Sequence, residues 1–236
     1  SYFVLLKLGY SIDIVMHVSI SSSLAIIVFT SISSIRTHLK LSNIDFKVIK
    51  KWLIGIIIGS ILGSFLASEI KGEFLVLIFV FLAFLISINM FFQTKIRTFK
   101  KDIPNSFLLN FLISGNIGFL SSLIGIGGGS FSVPTLNAFS KQMHQAVGTS
   151  AVLGFLIAFP STISYIFLGS NADNLPPYSI GYVNLLIVAL VTSMSIFTAN
   201  IGAKVSSKIN KDHLKKIFAI FLLCTCVSLV IEHFVI

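Results

Sequence analysis

A cluster of glycines, serines and one proline lies inside the longest uncharged stretch of the chain. It reads Gly125-Ile126-Gly127-Gly128-Gly129-Ser130-Phe131-Ser132-Val133-Pro134 and stands within residues 103–140. Glycines allow the backbone to turn and to approach a ligand closely, and successive backbone amides can form a concave site for an anion. Hydroxyl groups beside such amides would donate further hydrogen bonds. The candidate anion-binding residues of this cluster are Gly127, Gly128, Gly129, Ser130 and Ser132.

Two pairs of hydroxyl residues are further candidates for the same site. The pairs are Thr149 with Ser150, and their counterparts in the first half of the chain, Ser22 with Ser23. Glycine, serine and threonine also allow close helix packing in lipid, so packing remains the alternative role for these pairs and for the glycine cluster. Where glycines recur every four residues, we predict a packing face and no site, as for Gly55, Gly59 and Gly63.

Two histidines and a proline are candidates for gating or proton handling. His17 and His144 each stand shortly before one of the hydroxyl pairs. A histidine there could carry a proton or meet an anion, and the alternative is a place at the membrane interface. Pro160 is expected to kink a helix and to free carbonyl groups, with or without a role in gating.

The composition identifies an integral membrane protein. Of 236 residues, 55% are hydrophobic and 11% are charged, and the mean hydropathy is +0.98, whereas soluble domains carry about 25% charged residues. A membrane-spanning helix needs roughly 20 apolar residues, and such runs recur along the chain. We predict one polytopic, all-α transmembrane domain over residues 1–236, with helices at about 17–35, 51–68, 73–92, 105–124, 147–168, 182–203 and 213–233, and half helices at 2–9 and 130–139.

The net charge of +9 is explained by topology. Basic residues lie in short loops between the apolar runs and form no aromatic-interleaved basic face, so no nucleic-acid partner is expected. Cytoplasmic loops of membrane proteins carry an excess of Lys and Arg. The loops at 36–51, 95–101 and 204–216 are therefore predicted to be cytoplasmic, and those at 69–73 and 169–180 to lie outside.

An internal repeat relates the two halves of the chain. Met16, His17, Ser23 and Ser34 recur at an offset of 127 residues, and Gly63, Ser68, Ile70, Leu75, Ile78 and Phe79 recur at an offset of 139. The basic loop 36–51 corresponds to loop 169–180, which has no Lys or Arg. Opposite charge in corresponding loops is typical of inverted-topology repeats, whose substrate sites lie near the bilayer midplane.

The repeat predicts how the domain is divided. We expect a first repeat at 1–94, a cytoplasmic linker at 95–104 and a second repeat at 105–236. The chain opens on Ser1 in mid-pattern, and the first repeat is therefore expected to be N-terminally truncated, with its opening helix and its own glycine cluster upstream.

Several of these motifs together resemble the sulfite exporter TauE/SafE-like family of membrane proteins. The resemblance rests on Gly125-Ile-Gly-Gly-Gly129, on Val133-Pro134-x-Leu136, and on the run from Ala146 to Phe155 with Ala158-Phe159-Pro160-Ser161 and Tyr165. It implies about eight full-length helices in two related halves, in a bacterial inner membrane, moving small sulfur-containing anions such as sulfite or organosulfonates. Leu5 stands where the second repeat has Pro134, which is a departure from the pattern.

The leading hypothesis is an inner-membrane permease for a small anion, held by glycine amides and hydroxyls with alternating access. Possible partners are the anion, the lipid bilayer and further copies of the chain. A non-transporting scaffold or assembly factor is the alternative. An enzyme is disfavoured because the histidines are dispersed and Cys224 and Cys226 have no partners, and no cofactor or metal is expected. No Asp or Glu stands deep in a predicted span, so we expect no carboxylate proton relay.

Overall fold

The computed structural model of the protein describes residues 2–92, 103–195 and 211–235. Within them the chain forms helices and one small hairpin. The elements are α1 (Tyr2–Lys7), α2 (Ile12–Lys40), α3 (Phe46–Glu69), α4 (Gly72–Phe92), α5 (Phe107–Ile124), α6 (Gly129–Ala138), α7 (Met143–Leu168), β1 (Ser179–Ile180), β2 (Val183–Asn184), α8 (Leu185–Ser195) and α9 (Lys211–Val235). The strands pair antiparallel, with Ser179 opposite Asn184.

Four of the described helices are long and apolar enough to cross a membrane: α2, α3, α5 and α7. Shorter apolar stretches lie in α4, α8 and α9. The prediction of an all-α, polytopic membrane protein is confirmed. The arrangement as inverted repeats stays a prediction.

The helices α3 and α5 run parallel and pack backbone to backbone. Gly55 and Gly59 of α3 lie against Phe111 and Gly115 of α5, in the same order along both helices. A Cβ atom at Gly55 would lie 2.7 Å from the Phe111 carbonyl oxygen. Gly63 continues the series against Phe119. The prediction that these glycines form a packing face is confirmed, because only small residues permit this approach in lipid.

The helices α2 and α7, which correspond in the repeat, pack against each other and run antiparallel. The loop after α2 meets the start of α7, and the hairpin after α7 meets the first half of α2. Equivalent helices of inverted repeats must have opposite directions across the membrane. The packing of α2 and α7 therefore fulfils a requirement of the predicted repeat.

Two buried clusters hold these helices together. One joins α2, α4 and α7 through side chains such as Leu24, Leu75 and Tyr165. The other joins α3, α5, α6 and α7 and includes Trp52, whose indole Nε1 donates to Asn110 Oδ1 at 3.0 Å. Burial of these large side chains fixes the positions of α2 and α7, between which the candidate site lies.

Several element boundaries differ from the sequence-based predictions. Helix α2 continues through polar residues at both ends, beyond the predicted 17–35, and α7 begins at Met143 instead of 147. Residues 179–184 form the hairpin, so the predicted helix at 182–203 begins at Leu185. Residues 95–102 of the predicted linker, residues 196–210 and the repeat positions Gly202, Ser207 and Ile209 lie outside the described residues.

Neither proline inside a helix ends that helix. Pro134 lies within α6 and Pro160 within α7. The break in the uncharged stretch 103–140 comes before Pro134, at the glycines. The half helix predicted at 130–139, which includes Pro134, is therefore confirmed as α6.

Candidate functional site

The glycine segment, residues 125–129, joins α5 to the half helix α6. Gly125 ends α5 with a left-handed φ of 68°, and its N–H donates to Ser121 O at 3.0 Å. Gly127 is also left-handed, with φ of 76°, and Gly128 returns to right-handed geometry as the N-cap of α6. Side chains other than glycine rarely adopt the left-handed region, so two of the four glycines are required by the turn.

A cavity of about 340 Å³ lies where this segment meets α2 and α7. The helices α2 and α7 contribute a wall each, and the beginning of α6 contributes the third. The lining residues are Ile27, Thr30, Ser31 and Ser34 of α2, Ile126, Gly127, Gly128, Gly129 and Val133 of the glycine segment and α6, and Val147, Ser150, Ala151 and Gly154 of α7.

Ser150 is the lining residue whose hydroxyl stands out chemically. It is 3% exposed, and its Oγ has no hydrogen-bond partner among the described residues. By contrast, Thr30 Oγ1 and Ser31 Oγ donate to carbonyl oxygens of their own helix. A buried hydroxyl without a partner loses its hydrogen bonds to water, at a cost of roughly 1–3 kcal/mol. Ser150 therefore borders the cavity with a hydroxyl that has no hydrogen-bond partner among the described residues, and its Oγ atom is fully buried in this structure.

The beginning of α6 adds backbone donors and a favourable field. The first N–H groups of a helix have no partner within the helix, and aligned peptide dipoles place roughly half a positive charge there. Gly128 and Gly129, at the start of α6, both line the cavity. No lining residue is charged. The site therefore offers an anion dipoles and hydroxyls, without a permanent cation.

Of the predicted site residues, the structure brings together Gly127, Gly128, Gly129 and Ser150 at the cavity. Ser130 and Ser132 lie in the first turn of α6 but not in the cavity lining. Ser132 is fully buried, and its Oγ has no partner among the described residues. The glycine segment and α7 thus meet at the cavity, whereas Ser130 and Ser132 lie outside its lining, and the assignment of these residues to a binding site stays a prediction.

The other predicted hydroxyls are engaged in contacts between chain segments. Ser23 Oγ donates to Gly125 O at 2.8 Å and so ties α2 to the glycine segment. Thr149 Oγ1 accepts from Asp45 N at 2.9 Å, and Ser22 Oγ accepts from Asn184 N at 3.0 Å. None of these three hydroxyls belongs to the residues that line the cavity.

The two histidines differ in their surroundings. His17 is 5% exposed, its Nε2 lies 2.9 Å from Ala67 O, and its ring stacks on Tyr182 with centroids 4.9 Å apart. The side chain of His144 is exposed. Neither histidine nor Pro160 lines the cavity. Their assignment to gating or proton handling stays a prediction.

Sequence reasoning missed the α2 wall and the ion pair beside the site. Thr30 and Ser34 are spaced by four residues, a pattern that indicates a shared helix face and could have identified the wall. Lys141, in the turn between α6 and α7, pairs with Asp45 at 2.8 Å. No sequence pattern connects these two residues, which are 96 positions apart.

The Asp45 carboxylate is stabilised in its charged form. Partial burial raises its pKa, but the hydrogen bond and the charge of Lys141 lower it, as do the backbone N–H groups of Val48 and Lys47. The net pKa of Asp45 lies below its ordinary value. Lys141 is therefore neutralised locally by Asp45 and is not a free cation beside the cavity.

Comparison with known proteins agrees with this architecture. The family described as Sulfite exporter TauE/SafE has a model that matches residues 3–229. The chain belongs to this family. It is 31% identical over 222 residues to a probable membrane transporter protein of Haemophilus influenzae, covering 93% of this chain and 83% of the relative. No solved structure matches the chain.

More distant relatives carry the same description. A probable membrane transporter protein of Methanocaldococcus jannaschii is 30% identical over 206 residues, covering 84% of this chain and 73% of the relative. One from Bacillus subtilis is 26% identical over 238 residues, covering 93% and 83%. The family and these names identify the chain as a multi-pass membrane transporter, which favours transport over the scaffold and enzyme alternatives.

Proposed function

We propose that this TauE/SafE family member is a permease for small anions, with sulfite and organosulfonates as the first candidates. The observation that carries the proposal is the buried, unpartnered hydroxyl of Ser150 in a cavity that also receives the start of α6. The family description names sulfite export, and the chemistry of the cavity fits an anion of this class. The plasma membrane of a bacterium is the proposed location.

The choice of an anion follows from the donors at the site. An anion that leaves water must exchange its hydration shell for hydrogen-bond donors. The cavity supplies the N–H groups at the start of α6 and the Ser150 hydroxyl, and helix N-termini are general anion-binding sites. A cation would meet the wrong end of the α6 dipole. The absence of charge in the lining also lets the anion leave, because it is held without a permanent ion pair.

The size of the cavity limits the solute. Small-molecule sites have volumes of roughly 300–1,000 Å³, and this cavity, at about 340 Å³, lies at the lower end. A single oxyanion with a few waters or a short organosulfonate fits such a volume. The apolar lining from Ile27, Ile126 and Val133 would contact the carbon chain of a sulfonate and would gain little from a bare oxyanion.

Efflux from proteoliposomes tests the proposal. Purified protein is reconstituted with radiolabelled sulfite inside, and sulfate, taurine and acetate are added as competitors. We expect saturable efflux that one competitor class inhibits. Efflux equal to that of empty liposomes, from protein shown to be folded by its thermal transition, would reject sulfite as the solute.

A serine pair on α7 connects the flux to the cavity. Ser150→Ala removes the free donor, and we expect the rate at low sulfite to fall roughly tenfold, as for a hydrogen bond to a charged group. Ser164→Ala is the matched control, because Ser164 Oγ donates to Pro160 O within α7. Equal rates for both variants would remove Ser150 from the proposed site.

A further inference from the structure

Contacts between the two halves of the chain occur in equivalent pairs. The offset of 127 residues relates α2 to α7, and the offset of 139 relates the start of α3 to the start of α8. Helix α3 begins at Phe46, and α8 begins at the corresponding Leu185. The offset of 139 residues therefore also relates the beginnings of these two helices. The contacts made by the residues before α3 can be compared with those made by the residues before α8.

The first pair of contacts is a hydrogen bond made twice. Asp45 N donates to Thr149 Oγ1 at 2.9 Å, and Asn184 N donates to Ser22 Oγ at 3.0 Å. The offsets take Ser22 to Thr149 and Asp45 to Asn184. Each bond therefore connects the two halves. The donor is the residue that precedes a helix in one half, and the acceptor is a hydroxyl of α2 or α7 in the other half.

The residues next to these two hydrogen bonds are also in contact in both halves. Ser21 Oγ donates to Tyr182 O at 2.6 Å. The corresponding residues, Gly148 and Asn43, are also in contact, since a Cβ atom at Gly148 would lie 2.9 Å from the carbonyl carbon of Asn43. A chance contact would not recur at both positions with the halves exchanged.

The residues that precede the two helices also serve the same local purpose. Asp45 Oδ1 accepts from Val48 N at 3.3 Å, and Asn184 Oδ1 accepts from the corresponding Ile187 N at 3.0 Å. Both side chains thus cap the helix that follows. The backbone N–H of each capping residue is left to bind the opposite half of the chain.

The two contact sets differ in what reinforces them. We define the Asp45 set as Asn43, Asp45, Lys141, Gly148 and Thr149, and the Asn184 set as His17, Ser21, Ser22, Tyr182 and Asn184. The Asp45 set contains the Lys141–Asp45 ion pair at 2.8 Å. The Asn184 set contains the ring stacking of His17 on Tyr182. The sets lie at opposite ends of the antiparallel α2–α7 pair.

The candidate site is flanked by both sets. Ser150 of the cavity follows Thr149 of the Asp45 set, and Ser23, which holds Gly125 of the glycine segment, follows Ser22 of the Asn184 set. Along the chain at α2, the lining residues 27–34 lie between Ser22 of the Asn184 set and Asn43 of the Asp45 set, and neither set contributes a residue to the lining. Each set includes at least one hydrogen bond to a hydroxyl between the halves, and such bonds are individually weak and can be broken and remade.

We propose that the Asp45 set and the Asn184 set are the two gates of the transport cycle. Opening of one gate is coupled to closure of the other, because α2 and α7 pack against each other and each takes part in a gate at one end. Both hydrogen bonds are formed in this structure, at 2.9 and 3.0 Å, so neither gate is open in it. This inference rests on the proposed function as a permease, but it does not depend on which solute is carried.

A cysteine reporter measures the coupling without a solute. Cys224 and Cys226 are first replaced by serine, and Ser34→Cys is introduced, since Ser34 lines the cavity in the half of α2 nearer the Asp45 set. A membrane-impermeant thiol reagent is added to membrane vesicles. A separate Arg36→Cys variant identifies the vesicle orientation in which the reagent reaches the Asp45 end of α2, and that orientation is used. The reagent then reports access from the Asp45 end.

Two variants weaken one gate each. Thr149→Val removes the acceptor for Asp45 N, and we expect modification of Ser34→Cys to become roughly fivefold faster, the effect of one net hydrogen bond. Ser22→Ala removes the acceptor for Asn184 N, and modification should slow by a similar factor, because the opposite gate opens. The double variant should return close to the starting rate.

Two controls separate gating from general loosening. Ser33→Cys is exposed in the same turn of α2 and does not line the cavity, so its modification should not respond to either variant. Thr162→Val is matched to Thr149→Val, because Thr162 Oγ1 donates to Ala158 O within α7, and it should leave the Ser34→Cys rate unchanged.

The outcome distinguishes the gates from the solute. If Thr149→Val and Ser22→Ala change the rate in the same direction, or not at all, the paired gates are wrong. Sulfite efflux is measured from the same preparations. Opposite changes in modification without sulfite efflux would uphold the gates and reject sulfite, whereas efflux without opposite changes would uphold the permease and reject the gates.

Discussion

The α3–α5 interface and the glycine segment at 125–129 are both rich in glycine, but they use the missing side chain differently. At the interface, a Cβ atom on Gly59 would lie 2.8 Å from the Gly115 carbonyl carbon, so the glycine is needed for contact between backbones. In the segment, a Cβ atom on Gly129 would meet nothing within 4 Å. The first region uses glycine for contact between backbones. In the second region Gly129 leaves open space, whereas Cβ atoms on Gly125, Gly127 and Gly128 would lie 3.1, 3.0 and 2.8 Å from Ile20, Ile27 and Ile157.

Spacing explains the difference. Glycines four residues apart fall on one face of a helix and let a neighbouring helix approach. Adjacent glycines instead permit successive left- and right-handed backbone conformations, as at Gly127 and Gly128, and so produce a turn. One region therefore determines stability, and the other determines the shape of the site.

The largest effect is expected for Gly59→Ala. The new methyl group would collide with the backbone of Gly115, which cannot move aside without separating α3 from α5. We expect a loss of about 1–3 kcal/mol in the free energy of unfolding, as for other overpacked interiors, measured by thermal unfolding in detergent. Gly115→Ala is the control in the same interface, because its Cβ atom would lie 3.6 Å from the nearest atom. Equal losses for both variants would contradict this account.

Gly127→Ala should have the next largest effect. Its φ of 76° disfavours any side chain, and a Cβ atom would lie 3.0 Å from Ile27 Cδ1 in the cavity wall. We expect a loss of about 1–2 kcal/mol in stability, together with slower sulfite efflux, since the turn and the cavity change together. Gly129→Ala, inside α6 where a Cβ atom would meet nothing within 4 Å, should cost less stability. A stable Gly127→Ala with normal efflux would show that the turn does not shape the site.

Gly129→Ala should separate the two purposes. The methyl group meets no atom within 4 Å, and alanine restricts the unfolded chain more than glycine does. We therefore expect unchanged or slightly higher stability, by up to about 1 kcal/mol. Sulfite efflux should nevertheless slow, because Gly129 lines the cavity. Normal efflux at normal stability would place the solute elsewhere.

The smallest effect is expected from the ion pair between Lys141, in the turn after α6, and Asp45. Because the pKa of Asp45 is lowered in the folded protein, the pair stabilises it above the pKa of the unfolded chain, and this contribution is lost as pH falls through the lower folded value. The pair is partly exposed, so we expect less than about 1 kcal/mol. Thermal unfolding between pH 7 and 3 should show this loss in the parent protein and not in Asp45→Asn. An equal pH dependence in both would assign it to other groups.

Much of the local structure could be predicted from the sequence. The half helix expected at 130–139 is α6 at Gly129–Ala138, and the packing glycines of α3 were recognised by their spacing. Both depend on short-range rules for turns and helix faces. The α2 wall of the cavity was missed: the spacing of Thr30 and Ser34 indicates a shared helix face, but it does not tell whether that face meets a neighbouring helix or a cavity.

The roles of the hydroxyl pairs required the tertiary structure. Sequence reasoning treated Thr149 and Ser150 alike, yet Thr149 is bonded to Asp45 while Ser150 is unpartnered in the cavity. Ser22 and Ser23 are both bonded, but to different segments: Ser22 to the hairpin and Ser23 to the glycine segment. Partners that lie more than 100 residues away cannot be read from local pattern.

The sequence by itself determined that this is a helical membrane protein, where its chain turns and which helix faces pack closely, because hydropathy and glycine spacing act over a few residues. The tertiary structure alone decided which hydroxyls form hydrogen bonds between distant segments and which, such as that of Ser150, have no partner among the described residues. The physical reason is that a buried donor binds whatever acceptor the packing of distant helices places beside it. Where that packing leaves Ser150 without one, its hydroxyl is the donor that we propose for the solute.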